Sequence, residues 1–349
     1  MPEITLAIDC LGNDLGPQTI LEATCHALNE HPFLRVKYVG DSDLINESLS
    51  NLEPSQQSLH QNLCANGRVE IIHASMAIRM NDKPSYAFRH KDKTSMGIAL
   101  KLVADGKADG VVSSGNTAAL VLLSRYYIKL FAEIEKPAIS TVLPSQNGFT
   151  RVLDLGASID CNSEALFYFG VMGVVLSKTV DNVANPRVGL LNIGTEEVKG
   201  NDKIKQASVL MKEIRDVDYL GFVEGNDIYT SNLDVVVCDG FVGNAVLKAS
   251  EGLTRYFAYL INHKLLQGFR GKIMQWLIKP TIKQLKDEIN PDRYNGASFV
   301  GLEKVVVKSH GNANVSALQF AIKEAVEQIR CQVPDKIKET LNNLLISEK

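Results

Sequence analysis

Short apolar runs alternate along this chain with stretches in which apolar residues recur three and four positions apart. Runs over 4–8, 35–39, 69–73, 109–113, 138–143, 151–155, 187–193, 220–224, 234–238 and 305–307 are rich in Val, Ile and Leu and predict strands. Helical spacing follows most of them, over 19–28, 96–103, 118–131, 163–177 and a stretch beyond 201, and again at 313–330 and 334–346. Strand followed by helix, repeated, predicts an α/β domain built on an open sheet of mostly parallel strands. The polar stretch 46–66 reads as loop with surface helix, and 295–301 as a return to the core. No internal repeat and no flexible linker interrupts the pattern.

The strand ends carry the chemistry. The stretch 233–252, LDVVVCDGFVGNAVLKASEG, runs from a charge-free strand through Asp239, Gly240 and Gly243 to Asn244. Asn244 is predicted to cap the next helix. Open α/β sheets bind ligands at the carboxyl ends of their strands, where a helix start offers free N–H groups to an anion. An ordinary tight turn explains one such loop equally well. Similar loops recur at Asp9, Gly12 and Asn13; at Ser114, Gly115, Asn116 and Thr117; at Asp154 and Gly156; around Lys199; and at Lys308-Ser309-His310-Gly311. Lys199 stands between a strand end and a helix start, beside Gly200 and Asn201, where it can reach a phosphate as a point charge.

Two segments fall outside this scheme. Residues 79–96 gather Lys83, Arg89, His90, Lys91 and Lys93, either as a solvated loop or as a basic mouth for an anionic substrate or acidic carrier. Residues 253–295 have helical spacing on both sides of 268–271 and read as a helical hairpin. Near its tip Leu265, Leu266, Phe269, Met274 and Trp276 lie among Lys264, Arg270, Lys272 and Lys279. Apolar residues flanked by cations suit an anionic lipid surface, and equally a dimer interface.

Composition narrows the classes. With 349 residues, 45% hydrophobic and 22% charged, the chain can bury a large core. A net charge of -3 argues against a general nucleic-acid binder. Six scattered cysteines with no C-x-x-C pair fit a reducing compartment and argue against a disulfide framework or a zinc site. Neither a signal sequence nor a bilayer-length apolar run is apparent, so a cytoplasmic protein is expected.

Taken together, AIDCLGNDLGP, SSGNTAALVLLSR, LDLGASIDCNSEALFYFGVMG, RVGLLNIGTEEVKGN, FVEGNDIYTSNLDVVVCDGFVGNAVLKASEG and VVVKSHGNAN resemble the phosphate acyltransferases of bacterial phospholipid synthesis. The likeness runs in order from Ile8 to Asn314; Asn13 and Asn81 stand where that family usually has a glycine and an acid. The resemblance implies one three-layer α/β/α domain over 1–349, a doubly wound sheet similar to isocitrate and isopropylmalate dehydrogenases, with the hairpin protruding. It implies a homodimer, no cofactor and no metal. It also implies the reaction, in which inorganic phosphate takes a long-chain fatty acyl group from acyl carrier protein to give acyl phosphate for phosphatidic acid synthesis. Peripheral contact with the inner face of the cell membrane, near a membrane glycerol-phosphate acyltransferase, completes the expectation.

The residues fit such chemistry. Phosphate is already a nucleophile, so no G-x-S-x-G elbow or Cys/His pair is required, and none is evident. Lys199 is assigned to phosphate or transition-state charge, and Asn244 with the amides after Gly243 to the oxyanion or phosphate. His310 is either the proton donor to the leaving thiolate or a structural histidine. Asp9, Asn116, Asp154 and Asp239 orient loops and donors. Two other readings are a metal- and nicotinamide-dependent decarboxylating dehydrogenase, which lacks an evident acidic cluster and adenine signature, and a non-catalytic membrane scaffold, which would not need six polar loops.

Overall fold

A computed structural model describes residues 2–214, 217–230, 232–261, 263 and 291–347. Eleven strands among them are β1 Ile4–Asp9, β2 Leu34–Gly40, β3 Val69–His73, β4 Gly110–Ser113, β5 Ala138–Ser145, β6 Gly148–Leu153, β7 Arg187–Leu191, β8 Asp218–Val223, β9 Val235–Val237, β10 Ala297–Val300 and β11 Val305–Lys308. The helices are α1 Pro17–Glu30, α2 Ser42–Ser50, α3 Pro54–Ala65, α4 Pro84–Arg89, α5 Ser95–Ala104, α6 Thr117–Tyr127, α7 Ser163–Thr179, α8 Asp202–Met211, α9 Asp227–Thr230, α10 Gly240–Leu260, α11 Val315–Arg330 and α12 Val333–Ser347.

All the strands join one mixed sheet in the order β3-β2-β1-β4-β11-β10-β5-β6-β9-β7-β8. Two parallel blocks flank three antiparallel junctions, because β10 runs antiparallel to both β11 and β5, and β5 antiparallel to β6. The expected hairpin-like pair is β5 and β6. Strand β10 was not anticipated: ASFV is four residues long, follows Asn295-Gly296 and shows no alternation that its sequence alone would reveal.

Alternation within the valine runs decides which face each strand turns to which helix. Ala7, Val111, Val306 and Val236 point to one core with Met96 and Leu100 of α5 and Leu120 of α6. Leu6, Ile8, Val305 and Val307 point the other way, against Leu21 of α1 and Leu318 and Ile322 of α11. Val235 and Val237 pack with Phe169 and Met172 of α7 and Ile337 of α12. Each of these Val, Leu, Ile, Phe and Met side chains contributes roughly 1.5–3 kcal/mol by leaving water. Helices therefore cover both faces of the central sheet.

The 46–66 stretch is more ordered than its composition suggests. Asp41 caps α2 by accepting from the amides of Asp43 and Leu44, and Pro54 opens α3. Of the predicted hairpin, residues 253–260 belong to α10, where Leu253 and Phe257 are about half exposed. Its residues 264–290, with Leu265, Leu266, Phe269, Met274 and Trp276, lie outside the described residues, and Pro291–Tyr294 form a single 3-10 turn.

Candidate active site

Register brings three strand ends together. Asp9 of β1 pairs with Ser113 of β4, and Ser113 with Lys308 of β11, so carboxylate, hydroxyl and ammonium occupy one rung. Asp9 is buried and fully engaged: it accepts from the Ser95 hydroxyl (2.6 Å), the Ser113 hydroxyl (2.7 Å) and the Leu11 amide (3.3 Å). Burial nonetheless raises its pKa. The adjoining loops need glycine for proximity, since a Cβ on Gly12 would lie 2.7 Å from the Gly115 amide and 2.8 Å from Asp9 Oδ2.

Other expected residues hold loops. The Asn13 side chain donates to the Ala313 carbonyl and accepts from the Leu15 amide. Asn116 caps α6 through the Ala119 amide while donating to the carbonyls of Met80 (2.8 Å) and Asp82 (3.1 Å). It thereby fixes the start of the basic loop. Within that loop Lys91 sits over the rings of Phe88 and Tyr126, so this cation is partly structural.

The far side corrects one expectation. Helix α10 starts at Gly240, and its cap is Asp239, which accepts from the Val242 amide at 2.8 Å; Asn244 lies inside the helix. The glycines admit protein. A Cβ on Gly243 would lie 1.9 Å from the Asp154 carbonyl, and one on Gly240 2.6 Å from both Asp154 Oδ2 and the Ser158 carbonyl. The Gly243 amide already donates to the Asp239 carbonyl, so the amides from there on belong to the helix ladder, not to an oxyanion hole. Asp154 organises the opposing loop through the amides of Ile139, Gly156, Ala157 and Ser158. Close packing of that loop on the first turn of α10 sets the Asn244 side chain beside Gly156.

Between these halves lies a polar chamber of about 330 Å³, walled by Thr117, Gly156, Asn244, Lys248, Lys308 and His310 among others. Beside it an apolar groove of about 430 Å³ runs along α10, lined by Leu143, Pro144, Val246, Ala249, Leu253 and neighbours. Thr141, Leu247, Tyr294 and His310 line both. Lys248 pairs with Glu251 at 3.0 Å, and His310 Nε2 stands 3.7 Å from the same carboxylate. Burial lowers the His310 pKa; Glu251 opposes this, and Lys248 and Lys308 reinforce it. Burial also brings the Lys308 ammonium down to about 8, against the attraction of Asp9.

Of the three catalytic candidates, Asn244 and His310 line the chamber. Lys199 does not: it pairs with Glu196 at 2.8 Å and is 44% exposed on the loop after β7, whose backbone Asn192 ties at Gly194 and Lys199. Ser114, Gly115 and Asn116 shape the approach, and Thr117 reaches the chamber. Sequence reasoning missed Lys308, Lys248, Glu251 and Thr141. The strand-end lysine after VVV was the available signal for the first of these, but its neighbours across the sheet are set by register. Among the described residues no group of three or more His, Cys, Asp and Glu is placed to hold a metal ion, and no helix is long and apolar enough to cross a membrane.

Residues 4–336 match the model of a family described as "Fatty acid synthesis protein". The chain is 44% identical over 347 residues to the "Phosphate acyltransferase" of Shewanella halifaxensis, covering 99% of each. Among solved structures it is similar to a phosphotransacetylase from Streptococcus pyogenes (TM-score 0.63, 14% identity, 94% of each chain). A second similar structure is the EutD phosphotransacetylase from Staphylococcus aureus (TM-score 0.58, 16% identity, 94% of each chain). At such identities the structural likeness speaks for the fold.

Proposed function

This chain belongs to the phosphate acyltransferase family and is an acyltransferase, and from that premise we propose that it moves a long-chain fatty acyl group from acyl carrier protein to inorganic phosphate, releasing acyl phosphate for phosphatidic acid synthesis. One observation carries the reading: a polar chamber and an apolar groove share the wall of Thr141, Leu247, Tyr294 and His310. A thioester lying across that wall would put its carbonyl beside the chamber and its chain in the groove. Each buried methylene there contributes about 0.8 kcal/mol.

A phosphate oxygen in the chamber attacks the thioester carbon, a tetrahedral oxyanion forms, and the C–S bond breaks. The proton of the incoming hydrogen phosphate ends on the departing sulfur, so the products are acyl phosphate and free carrier thiol. The Asn244 side-chain amide and the Lys248 ammonium, both lining the chamber, are assigned to the developing negative charge. His310, kept largely neutral at pH 7 by its lowered pKa, relays the proton rather than carrying a standing charge. Lys199, which lies outside the chamber walls, keeps its assignment to phosphate or transition-state charge only by leaving its solvent-screened pair with Glu196.

The same reading includes the three-layer dehydrogenase-like architecture, a homodimer, and a cytoplasmic enzyme resting on the inner face of the cell membrane next to a glycerol-phosphate acyltransferase. Acyl phosphate hydrolyses readily and carries an apolar tail, so release at a lipid surface protects and delivers it. Exposed Leu253, Tyr256 and Phe257 on α10 support an apolar contact of this kind. Changing Leu266, Phe269 and Trp276 to Ser is expected to reduce liposome binding while sparing turnover of soluble substrate; unaltered binding would remove the membrane role from these residues. The central test is to incubate purified protein with palmitoyl carrier protein and phosphate and to follow acyl phosphate by mass spectrometry. No phosphate-dependent product defeats the reading, and near-normal turnover in Asn244→Ala and Lys199→Ala defeats their assignment.

A further inference from the structure

Lys308 shares its rung with Asp9, yet Asp9 is occupied by the hydroxyls of Ser95 and Ser113 and the Leu11 amide. The Lys308 ammonium instead donates to two carbonyls, those of Ser114 (3.3 Å) and Ser309. Among the described residues no carboxylate forms an ion pair with it. A largely buried cation held by neutral carbonyls is under-compensated, and the favourable remedy is an anion. It lines the polar chamber, where Lys248, His310 and Thr117 at the first turn of α6 also present donors.

We propose that Lys308 is the cation that binds the phosphate nucleophile, with Asp9 as a positioning residue that acts through Ser113, whose hydroxyl donates to Asp9 and accepts from the Gly115 amide beside the Ser114 carbonyl that Lys308 grips. This rests on the reading that inorganic phosphate is the acyl acceptor. The titratable groups facing Lys308 are Asp9 and Asp14, which favour its proton, Lys248, which disfavours it, and His310, whose own proton Lys308 disfavours. Burial outweighs the attraction and brings the group to about 8, so phosphate binding should weaken as pH rises past that point. An arginine there cannot lose its charge in this range.

The test titrates the full-length protein with inorganic phosphate alone, by calorimetry, on both sides of that pH, and then measures steady-state constants. Wild type should bind phosphate and lose affinity on the alkaline side. Lys308→Met should weaken phosphate binding roughly 10- to 100-fold at neutral pH, the loss of one charge-assisted hydrogen bond. Its KM for the acyl carrier should stay within about twofold, since the chain and carrier are held elsewhere. Lys308→Arg should retain phosphate binding and lose the alkaline decline. Asp9→Asn should raise the phosphate KM more than it lowers kcat. Unchanged phosphate affinity in folded Lys308→Met overturns the proposal, as does an alkaline decline that persists in Lys308→Arg, a variant that keeps the charge if Met is not tolerated. Wild type that binds phosphate through Lys308 but makes no acyl phosphate from carrier thioester would sustain this site while refuting the parent reaction.

Discussion

Replacing Ala249 by Leu tests whether the groove along α10 holds the acyl chain. Ala249 lines the groove with nothing beyond its Cβ, and leucine is an equally comfortable helix residue, so α10 should form as before. The three added carbons, an isopropyl group, occupy room that about three methylenes of a long chain would otherwise fill. At about 0.8 kcal/mol per methylene, the long chain loses about 2.4 kcal/mol of transition-state binding. A chain too short to reach that point loses almost nothing. With 1.4 kcal/mol per tenfold, the preference for palmitoyl over a short acyl donor should fall by roughly 50-fold. The assay is the ratio of kcat/KM for the two donors on the same carrier protein at fixed phosphate. A ratio within about twofold of wild type, in a variant whose melting temperature is unchanged, would place the chain elsewhere and would break the link between groove and chamber.

Other consequences concern the supports of the site. Arg151 is buried with Asp181, which accepts from its guanidinium at 2.6 and 2.8 Å, while Glu324 stands 3.8 Å away; Asp181→Ala should lower unfolding free energy in urea by about 3–5 kcal/mol, because a buried charge loses its partner. Gly243→Ala would force α10 off the Asp154 carbonyl, with an expected stability loss of about 1–3 kcal/mol and a larger loss of kcat, since Asn244 moves with that turn; calorimetry and turnover on one preparation would check both. The lowered Lys308 pKa penalises the folded state fully below about pH 8 and less as pH rises toward the ordinary lysine value of 10.5. Wild type should therefore gain stability relative to Lys308→Met across that interval, by at most about 3 kcal/mol, and chemical denaturation at several pH values would reveal a flat difference if the ammonium is not buried as described.

The elements with a strong period were readable from the chain. Three valines in a row before Cys238, and three more before Lys308, can only be strands with both faces covered, and they are. The loops that build the site were readable as loops, and Asp9, Asn116, Asp154 and Asp239 do orient them. What escaped was pairing. Asp239 and Asn244 are both capping types five residues apart, and the choice between them is made by the Asp154 loop, which lies 85 residues earlier and leaves space only for glycine at 240 and 243. Lys308 looked like any strand-end lysine until β4 set it beside Ser113. Lys248 and Glu251 lie on the helix that the spacing after Asn244 predicts, but their pairing with each other and with His310 across the groove does not follow from that spacing.

The order of strands also bears on how the enzyme is made. Strands β10 and β11, residues 297–308, slot between β4 and β5, whose segments leave the ribosome long before them. Until that late insertion the two blocks present raw edges at β4 and β5, ready to pair with any extended chain nearby. The nascent protein is thus two half-sheets awaiting a keystone, and chaperone demand should peak just before the KSHG segment emerges. The same segment carries Lys308 and His310 to the chamber, so a chain terminated before it is expected to be both inert and adhesive.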